Sequence, residues 1–153
     1  MKNKEIKPEA IWNEEKRSGL KEFISSHSAK QSKERILKNK LLSIQYKLED
    51  YIQNDTDDQV LRILDFVKMY LKELKITKKE LADYFEMKDS NLHKYLSGER
   101  KLNAKVVLKL STFSHTKPEQ WYRVQIKNEL RELKKENIEN YKKYDYRNLM
   151  EIQ

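Results

Sequence analysis

Cysteine is absent from this chain of 153 residues, and glycine and proline occur only twice each. Without thiols there is neither a disulfide framework nor a thiolate metal site, a composition that suits a reducing compartment. With so few turn-forming residues, β architectures lack the punctuation they need between short strands, and long helices are favoured instead. The expected fold class is all-α. Two glycines also cannot build the phosphate-cradling loops of nucleotide-binding enzymes. No apolar run approaches the roughly 20 residues needed to span a bilayer, and the opening MKNKEIKPEAIWNEEK has no hydrophobic core of a signal peptide. A soluble, cytoplasmic protein is expected. The histidines His27, His93 and His115 are far apart and none stands in an HExxH spacing, so no metal site, cofactor or catalytic constellation is expected, and no enzyme. Adjacent carboxylates such as Glu14 with Glu15 and Asp57 with Asp58 sit in mixed-charge stretches and read as solvated faces.

Charge is what the chain has in quantity. Charged residues are 38% of it against 37% hydrophobic, the net charge is +8, and the pI is near 9.4. That balance permits an anionic partner without demonstrating one. Its placement says more. Residues 58–117 hold 13 basic and 8 acidic side chains, against 12 and 10 in residues 1–57 and 8 and 7 in residues 118–153.

Along the chain, about the first 25 residues combine charge with scattered Ile11, Trp12, Leu20, Phe23 and Ile24, the pattern of a marginal helix ordered by a partner. SSHSAKQS then reads as a polar joint. From Ser32 to Asn54, Leu37, Leu41, Ile44, Leu48 and Tyr51 recur at alternating steps of four and three, the seam of a helix laid against another helix. The seam fits an arm packed on its own domain; it also fits a dimer or partner contact, for which Trp12, Phe23, Leu37, Leu41, Ile44 and Leu48 are the candidates. NDTDD closes the segment with turn-forming residues, placing a boundary at Asn54 to Asp58.

The next helix is expected at Gln59 to Leu74, with Leu61, Leu64, Val67, Leu71 and Leu74 on one face. Thr77, three residues before Glu80, forms a capping box that starts a helix at Lys78, with Leu81, Ala82 and Phe85 as its apolar edge. After a break at Glu86 to Lys88, Leu92, Tyr95 and Leu96 form the buried stripe of a further helix, which Gly98 stops. Asn103 caps a helix bearing Val106, Val107 and Leu110. Thr116 with Glu119, and Pro118 between them, reads as a second capping box launching the last and longest helix. Beyond Leu133, KKENIENYKKYDYRNLMEIQ is basic and tyrosine-rich with Ile138, Tyr141 and Tyr144 as a stripe; it fits a dimer extension, a partner contact or a DNA-backbone contact.

At about 100° per residue, Tyr95 and Leu96 fall beside Leu92, while Ser90, Lys94 and Ser97 fall opposite, flanked by Asn91 and His93. The outer surface of this short helix is therefore made of small and hydrogen-bonding groups, the kind that reads base edges in a DNA major groove. Capped helix pairs with polar outer faces also occur without any nucleic-acid role. Ile76 to Leu102 resembles the Xre/Cro type of helix-turn-helix protein without a gap, with KKELADYF as the first motif helix, SNLHKYLSG as the recognition helix and ER entering the next. The resemblance implies a five-helix, lambda-repressor-like DNA-binding bundle that binds palindromic operators as a homodimer. It divides the chain into an N-terminal helical arm (1–57), a helix-turn-helix core (58–117) and a C-terminal helix (118–153) whose first part completes the core.

The segment LNAKVVLKLSTFSHTKPEQWYRVQIKNEL resembles the one that marks HigA-type antitoxins, with Trp121, Gln125, Glu129 and Leu130 at the family's spacing. It implies an antitoxin that neutralises a small ribonuclease toxin and represses its own operon. The two resemblances together span roughly Asp58 to Leu130. They imply that Lys78 holds a phosphate, that Ser90, Asn91 and Lys94 face bases, that His93 and Lys88 line the groove wall, and that Arg100 and Lys101 follow the phosphate track. Any of these cations equally fits an ordinary solvated surface. Trp121 and Tyr122 are expected to anchor the bundle. The chain departs from the family pattern at Glu86, where a glycine is usual, and at Lys88, where a hydroxyl cap is usual, leaving Asp89 or Ser90 to cap. A stand-alone Xre-like repressor and a helical interaction or RNA-binding module are the alternatives.

Overall fold

Helix is what this composition favours, and the computed structural model is helical accordingly. It describes residues 14–55 and 58–151, among which there are seven α-helices, one 3-10 helix and no strand. The helices are α1 (Glu14–Gln53), α2 (Ile63–Leu74), α3 (Lys78–Tyr84), α4 (Asp89–Ser97), α5 (Ala104–Ser114), α6 (Pro118–Leu133) and α7 (Tyr146–Leu149), with the 3-10 helix at Ile138–Tyr144. The chain divides into two units, Met1–Lys40 and Leu41–Gln153.

In the first unit the described residues are helical throughout. The polar joint expected at SSHSAKQS is corrected, because the helix runs straight through it. Serine and histidine lower helix propensity by only a few tenths of a kcal/mol each, and the stretch holds no glycine or proline to break the ladder. Phe23 is exposed, its ring stacked on that of His27 with centroids 5.9 Å apart, and Leu37 is half-buried. Trp12 lies outside the described residues.

The second unit is built on one core. The end of α1 contributes Ile44, Leu48 and Tyr51; α2 contributes Phe66, Val67 and Tyr70; Leu81, Leu92, Leu96, Leu110, Trp121 and Val124 come from α3 to α6. The partner surface expected at Ile44 and Leu48 is corrected on this ground, since both side chains are consumed by the chain's own core. Each fully buried aliphatic side chain contributes about 1.5–3 kcal/mol, too much for the chain to leave these positions for a partner.

Polar contacts then lock α1 to α6. The Tyr51 hydroxyl donates to Asn128 Oδ1 at 2.5 Å and accepts from the Leu61 N–H at 3.2 Å, while Asn128 Nδ2 donates to the Leu61 carbonyl at 3.0 Å. Lys127 Nζ donates to the Tyr51 and Asn54 carbonyls and lies 3.9 Å from the Tyr51 ring centroid. The last turn of α1 has no basic residue of its own. Lys127 therefore satisfies orphan carbonyls and complements the helix dipole from across the fold.

Several boundaries differ from expectation. Helix α2 starts at Ile63 rather than Gln59, because the Asp65 carboxylate accepts from the Arg62 N–H at 2.8 Å and fixes the first turn there. The second capping box does not form: Lys117 is the N-cap of α6, and Thr116 is buried, its hydroxyl accepting from the Trp121 indole at 2.9 Å and contacting Ser114 Oγ at 2.7 Å. With its hydroxyl turned inward to the buried indole, Thr116 does not serve the helix start, where Lys117 is the N-cap. The longest helix is α1, with 40 residues against 16 in α6. Ile138, Tyr141 and Tyr144 do share a face, but on a 3-10 helix, where a step of three is one full turn, and all three are exposed.

Tyr70 is the one side chain in the core, among the described residues, whose buried polar atom has no hydrogen-bond partner. Burial pushes its phenol up to about 12. Because the folded value lies above the unfolded value of 10.0, the neutral phenol is fully compatible with the fold below pH 10, and stability is lost as pH rises toward 12. Tyr70→Phe removes an unsatisfied hydroxyl and is expected to raise unfolding free energy by about 1 kcal/mol at neutral pH. In urea titrations the gap between variant and parent should widen between pH 10 and 11; a constant gap would refute the assignment.

Candidate nucleic-acid interface

Helix α3 begins as its sequence dictates. Thr77 Oγ1 accepts from the Glu80 N–H at 3.1 Å and the Glu80 carboxylate accepts from the Thr77 N–H at 2.7 Å. It ends in a reverse turn in which the Met87 N–H donates to the Ala82 carbonyl at 2.9 Å and the Glu86 N–H to that of Asp83 at 3.0 Å. Such a Schellman turn requires a left-handed residue, and Glu86 supplies it at φ +57° where glycine would be unstrained. Lys109 of α5 donates to the Phe85 carbonyl at 2.5 Å and closes the same end.

Three residues later α4 begins. Lys88 is its N-cap with no side-chain cap, so neither Asp89 nor Ser90 caps it; Asp89 is the first helical residue. There its charge suits the helix dipole, and it pairs with Lys78 of α3 at 3.6 Å. Lys78 Nζ also lies 3.0 Å from His93 Nδ1. An ammonium can only donate, so Nδ1 is the acceptor in this contact. Lys78, expected to hold a phosphate, is thus half-buried and engaged in tying α3 to α4.

Leu92 and Leu96 are fully buried and Tyr95 packs partly on the core. This rotation of the helix leaves Ser90 and His93 exposed and Asn91, Lys94 and Ser97 partly exposed, so the polar edge faces outward. Gly98 stops α4 at φ +86°, and the Arg100 N–H turns back to the Lys94 carbonyl at 2.9 Å. The Arg100 guanidinium sits 5.3 Å from the centre of the Tyr95 ring, and the Tyr95 hydroxyl accepts from Asn103 Nδ2 at 3.2 Å. Asn103 caps α5 through Val106 at 3.0 Å, as expected. Lys88 and Arg100 are exposed; Lys101 is exposed and 3.7 Å from Glu129. Solvated pairs of that kind hold about 0–1 kcal/mol and exchange readily for another anion.

Three of the four residues of the second resemblance pack or bond behind this surface. Trp121 is fully buried, Gln125 Oε1 accepts from the Leu102 N–H at 2.7 Å, Glu129 meets Lys101, and Leu130 is exposed. Gln125 therefore ties the turn after α4 to α6. Neither that tie nor those of Asp89 and Lys109 could be read from local pattern, because the partners lie 23, 11 and 24 residues away.

Residues 67–119 match a family model described as helix-turn-helix, about a third of the chain, running from α2 into the first turn of α6. No curated protein and no solved structure matches the chain. The matched family is a DNA-binding regulatory one, not an enzyme family, and it supports a DNA-binding transcriptional regulator. The match ends before Trp121 and does not bear on the antitoxin resemblance. No described helix is long and apolar enough to cross a membrane.

Glu86→Gly relieves a left-handed backbone in which a Cβ is strained by about 1–2 kcal/mol, partly offset by the greater freedom of glycine when unfolded. A net gain of about 0.5–1 kcal/mol is expected, measured as a higher denaturation midpoint; destabilisation would refute the turn geometry. Gln125→Ala leaves the Leu102 N–H without its acceptor and is expected to cost about 1–3 kcal/mol.

Proposed function

We propose that the chain is a sequence-specific transcriptional repressor that inserts α4 into the major groove of duplex DNA, with a homodimer reading a palindromic operator. The observation that carries this reading is the outward polar edge of α4, Ser90, Asn91, His93 and Lys94, held in place by the buried Leu92 and Leu96 on its other side. Asn91 and Lys94 are assigned to base edges, where side-chain amides and ammonium groups discriminate by donor and acceptor pattern. Lys88, Arg100 and Lys101 are assigned to the flanking phosphates, and Lys78 to orienting His93. Counterion release from these contacts makes affinity fall steeply with salt.

A mobility-shift titration against the chain's own promoter tests the reading. Binding is expected to favour one duplex over random DNA. Asn91→Ala combined with Lys94→Ala should erase that preference, each base contact being worth about 1–3 kcal/mol, while helicity and thermal midpoint persist. Equal affinity for promoter and random duplex sinks the proposal.

The antitoxin role is a narrower form of the same reading. It rests on the resemblance at Trp121, Gln125, Glu129 and Leu130. A small ribonuclease encoded beside the chain should be inhibited by it at a fixed stoichiometry. A neighbour whose activity the protein leaves untouched removes the toxin from the proposal and leaves the repressor.

A further inference from the structure

The seam of α1 does not stop at Leu37. Continued backward at the same alternation of three and four, it passes through Glu34, Lys30, His27, Phe23 and Leu20. From Leu41 onward the chain's own core takes it up, Leu41 half-buried against that core and Ile44 buried, whereas Phe23, His27, Lys30 and Glu34 are exposed on the described helix. A lysine and a glutamate thus sit at consecutive seam positions of an otherwise mostly apolar stripe. Neither is ion-paired within its own helix.

We propose that residues 23–41 of α1 pair antiparallel with the same residues of a second copy, Lys30 of each chain facing Glu34 of the other. In an antiparallel pair, positions whose numbers add to a constant face one another across the two-fold axis. The register that joins Lys30 to Glu34 also joins His27 to Leu37, and Phe23 to the part of Leu41 that its own core leaves uncovered. Its next layer, Leu20 against Ile44, is closed because Ile44 is already buried. The contact is therefore bounded at both ends, and it spans about 28 Å of helix.

Charge selects this arrangement over its competitors. A parallel pair would set Lys30 against Lys30 and Glu34 against Glu34, burying two like-charge contacts. Sliding the antiparallel register by one heptad sets Glu34 against Phe23 or Leu37, leaving a charge in an apolar seam without a counterion. Only the proposed register pairs both seam charges, the device by which a polar seam residue specifies register and orientation in coiled coils. The flanking Lys33 and Lys38 are solvent-exposed, where their repulsion is screened within about 8 Å at physiological salt.

Sedimentation of the full-length chain without DNA tests the pairing independently of any operator. The parent should be a dimer at about 100 μM. Lys30→Glu and Glu34→Lys should each weaken the dimer by about tenfold or more, since each replaces two attractive contacts by two repulsive ones. An equimolar mixture of the two variants should recover a heterodimer, and the double variant K30E/E34K should recover a homodimer. A parallel pair behaves differently, because single substitutions there only exchange one like-charge contact for another. Circular dichroism of each variant checks that these exposed substitutions leave the helix content unchanged. A parent that stays monomeric at that concentration, single variants that match the parent, or a double variant that stays dissociated each overturns the proposal; monomer would leave the face to a different protein.

Discussion

The burial of Leu92 and Leu96 decides everything that α4 presents. These two side chains sit on one side of a nine-residue helix packed against α2 and α3, and their removal from water sets the helix's rotation. A helix this short is far below the length at which propensity alone would hold it. Its polar edge is therefore a by-product of its apolar one: with Leu92 and Leu96 inward, Ser90 and His93 have nowhere to go but outward.

Position along the helix axis is controlled separately, by backbone groups caught at each end. At the start, the left-handed turn at Glu86 and the Lys78–Asp89 pair bring α4 in at a set angle. At the finish, Gly98, the Arg100 N–H on the Lys94 carbonyl and Gln125 on the Leu102 N–H hold the exit. A long, charged Glu86 in a left-handed turn is tolerated because the two Schellman hydrogen bonds and the Lys109 contact offset its strain. The same substitution of ordinary residues for glycine recurs at Lys75 and His115, both left-handed at helix ends. Three left-handed helix ends therefore carry a Cβ, and at Glu86 the Lys109 contact with the Phe85 carbonyl helps to hold it.

Some helix starts could be read locally and others could not. The Thr77–Glu80 box and the Asn103 cap formed as expected because each motif's acceptor and donor lie within one turn. Thr116 and Glu119 carry the same motif, yet Thr116 answers to Trp121 instead, since a buried indole N–H without an acceptor costs more than an exposed helix start without a cap. Periodicity likewise revealed the seam of α1 but not its owner: Ile44 and Leu48 belong to the chain's own core, and Phe23 does not. The serines of SSHSAKQS have the composition of a joint, whereas a helix needs only the absence of a breaker to continue.

What the sequence by itself determined is what nearest neighbours decide: the all-α class, the caps at Thr77 and Asn103, the stop at Gly98 and the inward stripe of α4, because helix hydrogen bonds and side-chain periodicity act over three or four residues. The tertiary structure alone decided the tie between Gln125 and Leu102, the Lys127 cap on α1, the contacts of Lys78 with His93 and Asp89, and the solitary hydroxyl of Tyr70. Each of these joins groups at least 11 residues apart or depends on what surrounds a buried atom. Such contacts are selected by packing of the whole core, and no local pattern encodes them.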